Sequence, residues 1–172
     1  MTNLGSLGLL LFCTATDGAN LRLCEHALAR AETLGIKCQL LNIATVKLPL
    51  FVSFEGEKPD PEIMDPLIET FTQATGFFFS APEYNGLIPP SLVNLITWLS
   101  IEGDDFRAMF NNKPAVIGTH SGGPGNKALM AMRMQFSHLG VNVLGRELAA
   151  KNGEDVAESS LDDVLKRIQP ML

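Results

Sequence analysis

The sequence predicts an α/β fold in which helices cover both faces of a parallel β-sheet, and three features of the chain indicate it. Short apolar runs alternate with longer segments of helical periodicity. The runs at residues 76–79 and 115–117 are continuously apolar, which is typical of strands that are buried on both faces. Five such strand and helix pairs follow one another, as they do in doubly wound sheets.

Each predicted element is defined by where its pattern begins and ends. The apolar runs predict strands at residues 7–13, 36–43, 76–81, 115–119 and 141–144. The segments between and after them predict helices at residues 20–34, 61–74, 89–100, 126–139 and 160–168. Pro61, Pro89 and Pro90 suit first-turn positions, because the N–H that proline lacks would have no partner there.

Five βα units predict a three-layer sandwich with a five-stranded parallel sheet of flavodoxin-like order 2-1-3-4-5, formed by residues 1–172 as one domain. In this order the winding reverses between strands 1 and 3. Ligands of open α/β sheets bind at such a point, outside the carboxyl ends of the strands. We therefore expect the loops after strands 1, 3 and 4 to form one crevice.

Composition narrows the class of protein. The chain has 172 residues, 46% of them apolar and 19% charged, and its net charge of -6 argues against a nucleic-acid-binding surface. No apolar run reaches transmembrane length. Cys13, Cys24 and Cys38 lack the paired short spacing of a zinc site, so we expect no metal centre, and an odd number of cysteines fits a reducing cytoplasm.

The loop after the first strand has the residues of a phosphate site. Small hydroxyl residues and glycine lead into a helix, whose first N–H groups are unpaired donors with a partial positive charge. Candidate phosphate-binding residues are Thr14, Thr16, Gly18 and Asn20. The alternative is an ordinary helix start with Asp17 as the N-cap. No lysine or arginine lies in this loop, and Asp17 would repel a phosphate unless it caps the helix or points to solvent.

The loop after the third strand suits a planar heterocycle. Pro82 restricts the backbone, Tyr84 offers an aromatic face, Asn85 an amide, and Gly86 permits a tight turn. A rigid turn at a strand end also provides backbone donors and acceptors at defined positions. A simple turn that precedes a helix remains the alternative.

The loop after the fourth strand is rich in glycine, so its backbone can approach a ligand closely. Residues 123–128 fit the dinucleotide pattern G-x-G-x-x-A, but a lone match after the fourth strand is weak evidence. The nucleophile-elbow pattern is absent because Thr119 stands where its first glycine would be. A phosphate-binding P-loop is excluded because Pro124 occupies the lysine position.

These motifs resemble the NADPH-dependent FMN reductase family, which includes flavin, quinone, chromate and azo-dye reductases. The most specific match is the pattern APEYNGLIP at residues 81–89, followed by a helix with Asn94 and Trp98. The resemblance implies flavin-ring contacts from Pro82, Glu83, Tyr84, Asn85 and Gly86. It implies ring or ribityl contacts from Ser121, Gly122 and Gly123.

The first loop departs from the family pattern G-S-x-R-x-x-S-x-N. Thr16 stands in place of the arginine and is followed by Asp17, and Ala19 replaces the second serine. Thr14 and Asn20 match in kind. The resemblance therefore implies a site for the flavin ring, whereas the altered first loop predicts a reduced affinity for FMN.

The resemblance implies an enzyme that transfers hydride from NAD(P)H to bound FMN and then passes electrons to a quinone-like or other small acceptor. We assign no general acid or base, since the flavin carries the chemistry. The alternatives are an interaction or regulatory module with weakened FMN binding, and a flavodoxin-type electron carrier. A homodimer or homotetramer is expected, with Leu95, Trp98 and Leu99 either near an interface or in the core, and Met130, Met132 and Met134 either packed inside or at an interface edge.

Overall fold

The computed structural model describes residues 8–151 and 153–172, so position 7 of the first predicted strand lies outside the described residues. The strands are β1 (Leu9–Thr14), β2 (Lys37–Asn42), β3 (Gly76–Ser80), β4 (Pro114–Ser121), β5 (Asn142–Val143) and β6 (Leu148–Lys151). The helices are α1 (Ala19–Thr33), α2 (Pro61–Gln73), α3 (Pro90–Ser100), α4 (Asn126–His138) and α5 (Glu158–Ile168). Short 3₁₀ turns occupy Ile43–Thr45 and Gln169–Met171.

The helix starts follow local chemistry. Pro61 stands in the first turn of α2, and the side chain of Asp60 accepts a hydrogen bond from the Glu62 N–H at 2.9 Å. Pro90 likewise begins α3, with Pro89 as its extended N-cap. None of the described helices has both the length and the apolarity needed to span a membrane.

The sheet has the order β2-β1-β3-β4-β5, and all these neighbours pair in parallel. The predicted flavodoxin-like sandwich is therefore confirmed. Leu9–Thr14 pairs with β2 on one side and with β3 on the other, so the winding reverses at this strand.

The far edge of the sheet differs from the prediction. Instead of one strand at 141–144, two short strands pair with successive parts of β4: β5 with Pro114 and Ala115, and β6 with Gly118 to Ser121. Residues 144–147 interrupt the edge between them. The polar Gly145-Arg146-Glu147 segment conceals this return to the sheet, because it breaks the apolar run on which the prediction relied.

Both faces of the central strands β1, β3 and β4 are buried, as continuous apolarity predicts. Phe77 and Phe79 point into a core built with α2, α3 and α4, whereas Phe78 points into a second core built with α1 and α5. All five residues of β3 are buried. Leu95, Trp98 and Leu99 are at most 2% exposed, so they belong to the first core and are not available at an interface.

Candidate functional site

Three loops meet at the carboxyl edge of the sheet, where the winding reverses. They are residues 15–18 after β1, 81–89 after β3 and 122–125 after β4. Because these strands are neighbours, their loops are held side by side. The Ala15 N–H, for example, donates to the Ser80 carbonyl at 2.9 Å. The predicted convergence of the three loops is present in the structure.

The first loop leaves the start of α1 without a side-chain cap. Gly18 is the N-cap, with φ 75°, and as a glycine it has no side chain that could accept from the first N–H groups of the helix. Asp17 is therefore not the cap: it is exposed, and its carboxylate accepts from the Asn42 amide at 2.5 Å. Thr16 is partly exposed, whereas the buried Thr14 hydroxyl donates to the Thr16 carbonyl at 2.6 Å. This arrangement answers the objection that Asp17 would repel a phosphate.

Asn20 lies in the first turn of α1 but is only 2% exposed. Its amide nitrogen donates to the His120 carbonyl at 2.9 Å. Its amide oxygen accepts from the Ser80 hydroxyl at 2.8 Å and from the His120 N–H at 2.9 Å. The side chain therefore contacts protein on both of its polar atoms.

The second loop, which we call the ring loop (residues 81–89), contains a tight two-residue turn. Tyr84 and Leu87 exchange two backbone hydrogen bonds of 2.8 and 2.9 Å. Between them, Asn85 has φ 52° and Gly86 has φ 78°, the two positive values of a type I′ turn. Neither N–H of this central pair has a partner among the described hydrogen bonds. Two backbone donors and the half-exposed Tyr84 ring are thus available at the tip.

The base of the ring loop is tied to the third loop. Pro82 is buried, and the Glu83 N–H donates to the Ser121 hydroxyl at 2.8 Å. The Glu83 carboxylate accepts from the Lys127 N–H at 3.1 Å, which places it at the start of α4. A carboxylate is stabilised there by the partial positive charge of the helix N-terminus. Glu83 thus helps to hold the ring loop against α4.

Ser121 is the last residue of β4 and is only 5% exposed, so it lies in the strand and not in the loop where the sequence places it. Its hydroxyl also shares a 2.8 Å hydrogen bond with Thr119. Gly122 and Gly123 follow and are exposed. A Cβ added at Gly123 would meet no atom within 4 Å, so there is open space beside this backbone.

Sequence reasoning missed two neighbours of the site. Lys127 reaches over the ring loop, since a Cβ built on Gly86 would lie 3.7 Å from its Nζ. The Ser91 hydroxyl donates to the Ala15 carbonyl at 3.0 Å and links α3 to the first loop. Both residues lie in the first turn of a helix that follows a predicted loop, and that position was the available signal.

The surroundings of the three cysteines do not favour a reactive thiolate. Burial raises the pKa of the Cys13 and Cys24 thiols and raises that of Cys38 to about 11. Cys38 is only partly buried, whereas Cys13 and Cys24 are buried. Among residues 8–151 and 153–172, no group of three His, Cys, Asp or Glu side chains is arranged to hold a metal ion.

An apolar cavity of about 470 Å³ adjoins the ring loop between α3 and α4. Leu87 and Met134 line it and are 61% and 74% exposed. The other lining residues are Ile88, Val93, Ala131, Gln135 and His138. Met132 is buried and Met130 is exposed outside this cavity, so the three methionines do not form one cluster.

The fold and the convergent loops define a doubly wound α/β protein with a ligand crevice at the switch point of its sheet. The family model for NADPH-dependent FMN reductase matches residues 9–155, and the chain belongs to that family. FMN and NAD(P)H are the cofactors of the family, so this protein is a flavin-dependent oxidoreductase that uses NAD(P)H.

Solved structures share the fold at low sequence identity. The flavoenzyme NAD(P)H:(acceptor) oxidoreductase FerB of Paracoccus denitrificans is 17% identical, with a TM-score of 0.76, covering 95% of this chain and 96% of its own. An oxidoreductase of Corynebacterium diphtheriae is 12% identical, with a TM-score of 0.73 and coverage of 96% and 97%. A WrbA-like flavodoxin of Agrobacterium tumefaciens is 14% identical, with a TM-score of 0.66 and coverage of 96% of each chain. A search of curated protein sequences gave no significant match.

Proposed function

We propose that this protein oxidises NAD(P)H through bound FMN and passes the electrons to a quinone-like or other small acceptor. The observation that carries the proposal is the convergence of three ligand-type loops at the switch point of the sheet, in a chain of the FMN reductase family. FMN, when bound, supplies the hydride and electron chemistry, while the protein binds and orients it.

The proposed ring contacts come from the second and third loops. The unpaired N–H groups of Asn85 and Gly86 are donors for the polar edge of the ring, and the exposed Tyr84 side chain offers a stacking surface. The exposed backbone at Gly122 and Gly123 lets the ring approach closely. The remaining proposed residues, Pro82, Glu83 and Ser121, hold these donors in position through the contacts described above.

The proposed phosphate contacts come from Thr16, Gly18 and the first N–H groups of α1. An uncapped helix start offers donors and a partial positive charge to an anion. Thr14 and Asn20 are buried and hydrogen-bonded within the protein, so we propose that they support this loop from beneath. In this proposal, hydroxyl and backbone N–H groups bind the flavin phosphate, and no arginine is required.

The activity test uses purified protein reconstituted with FMN. It should bind one flavin per chain and oxidise NADPH when a quinone is supplied. Stoichiometric binding of FMN without turnover would contradict the enzyme proposal. Stable one-electron reduction with no NADPH oxidation would instead favour a flavodoxin-type carrier.

A second function is favoured by the absence of any basic residue between Cys13 and Asn20. A flavodoxin-like module with weak FMN affinity could serve as an interaction or regulatory protein. A titration that detects no FMN binding at micromolar concentration would favour this function. A protein that is yellow on purification would exclude it.

We also propose that the chain forms a homodimer or homotetramer in the cytoplasm. The apolar cavity beside the ring loop supports self-association, since Leu87, Val93 and Met134 are exposed on one uncharged surface. Met134→Lys should reduce the oligomer measured by light scattering, whereas Met130→Lys, on the same helix but outside the cavity, should not. An oligomer unaffected by Met134→Lys would place the interface elsewhere.

The three free thiols fit the proposed location in the cytoplasm, which is a reducing compartment.

A further inference from the structure

The Asn20 side chain joins the start of α1 to two strand ends that are distant in sequence. It belongs to α1, which follows β1. It bonds the side chain of Ser80, the last residue of β3, and both backbone groups of His120 near the end of β4. A ligand loop follows each of these strands within one or two residues. One amide therefore links the bases of all three loops.

An asparagine amide is suited to this position because it presents a donor and an acceptor in one plane. The oxygen accepts twice, at 2.8 and 2.9 Å, while the nitrogen donates at 2.9 Å. An aspartate of the same shape could accept both bonds but would place a negative charge against the His120 carbonyl. The buried site, with Asn20 only 2% exposed, makes an unpaired group costly.

We propose that Asn20 is a positioning residue that sets the spacing of the three flavin loops, and that it does not contact the FMN phosphate. Both of its polar atoms are engaged with protein, and almost none of its surface is accessible to a ligand. This inference rests on the proposed FMN site. The amide supports the ring loop and the loop at residues 122–125 as well as the first loop, residues 15–18. Its loss should therefore weaken the binding of the whole flavin.

The test compares FMN with riboflavin, which lacks the phosphate. Affinities of both flavins are measured by fluorescence titration for the wild type, Asn20→Asp and Ser80→Ala, with circular dichroism to verify that each variant is folded. We expect Asn20→Asp to weaken both flavins by about tenfold or more and by similar factors. Ser80→Ala removes one bond without altering Asn20 and should weaken both by about threefold.

A control and a rescue separate positioning from general loss of stability. Asn142→Asp alters an exposed asparagine that donates to the Asn112 carbonyl at the other end of the sheet, and it should leave both affinities unchanged. Lowering the pH should partly restore riboflavin binding to Asn20→Asp, because a protonated carboxyl regains a donor for His120. The wild type should show no such gain.

Three outcomes are informative. A loss confined to FMN would make Asn20 a phosphate contact and overturn the inference. Unchanged affinities in both Asn20→Asp and Ser80→Ala would also overturn it, and Ser80→Ala still provides the answer if Asn20→Asp does not fold. Failure of the wild type to bind either flavin would contradict the proposed function itself, so the two failures are distinguishable.

Discussion

Gly125 ends the glycine-rich loop in the left-handed conformation, with φ 68°, as the N-cap of α4. A Cβ at this position would lie 2.5 Å from the Thr119 Cγ2 atom. Gly125→Ala therefore adds backbone strain to a steric clash, and we expect the free energy of unfolding to fall by about 2 to 4 kcal/mol. Denaturant unfolding monitored by circular dichroism measures this change.

Gly145→Ala is the matched control for Gly125→Ala. A Cβ at Gly145 would meet no atom within 4 Å, and its φ lies outside the left-handed region. Its stability should stay within about 0.5 kcal/mol of the wild type. Equal losses in the two variants would contradict the steric explanation.

Lys113 gives the stability a pH dependence. Its half-buried ammonium donates to the Phe71 carbonyl at 2.6 Å, and burial lowers its pKa from 10.5 to about 8. Between pH 8 and 10.5 the unfolded chain retains this proton while the folded chain has lost it. The contribution of Lys113 to stability therefore rises with pH across this range.

Lys113→Met removes this contribution, so the comparison with the wild type isolates it from other titrating groups. We expect the unfolding free energy of the wild type minus that of Lys113→Met to increase between pH 8 and 10.5. Denaturant titrations at several pH values measure the difference. A difference that is constant, or that decreases, would be inconsistent with a lowered pKa at Lys113.

Among the secondary-structure elements, the interrupted sheet edge depends on Arg133 of α4. Its guanidinium donates to the Leu144 carbonyl at 2.8 Å and pairs with the Glu147 carboxylate at 3.0 Å. These contacts hold residues 144–147 between β5 and β6. Arg133→Met should lower stability by about 1 kcal/mol through the lost hydrogen bonds.

Hydrogen exchange locates the effect of Arg133→Met. The Leu144 N–H, which donates to the Ala115 carbonyl at 2.8 Å, should exchange faster in the variant. Arg22→Met, at an exposed site on α1, serves as the control and should leave that exchange rate unchanged. Unaltered exchange at Leu144 in Arg133→Met would show that the edge is held by other contacts.

At the scale of the whole molecule, the sheet couples the two hydrophobic cores, because adjacent residues of β3 pack into opposite cores. Phe79 stacks on Phe136 of α4 with ring centroids 4.1 Å apart. Phe136→Ala should lower the unfolding free energy by about 3 to 5 kcal/mol and preserve a single transition. Met130→Ala, 71% exposed on the same helix, should cost less than about 0.5 kcal/mol. Separate transitions for the two faces would contradict coupling through the sheet.

Much of the fold could be predicted because its signals are local. Continuous apolar runs identified the buried strands, and prolines marked the starts of α2 and α3. The NG pair at residues 85–86 indicated a tight turn, and its positive φ angles have that form. The second edge strand, β6, was missed because its pairing with β4 depends on contacts across the sheet.

The candidate site, like the fold, could be predicted from sequence only in part. Residue types indicated three ligand loops, and the parallel order of the strands implied that they converge. The hydrogen-bond partners of individual side chains could not be predicted. Asp17, for example, could bond the start of its own helix or a distant residue, and the distances that decide between them exist only in the folded chain. It bonds Asn42 and does not cap α1.

Local sequence therefore specified β1 to β5, the five helices and the chemical character of the loops, since apolar period and turn residues act over short stretches of chain. The strand order followed from the succession of five βα units. The tertiary structure alone decided that Asn20 bonds Ser80 and His120, that Glu83 reaches α4, and that the sheet edge is split. Hydrogen bonds of this kind join residues 44 to 100 positions apart, so their partners depend on how the whole chain packs.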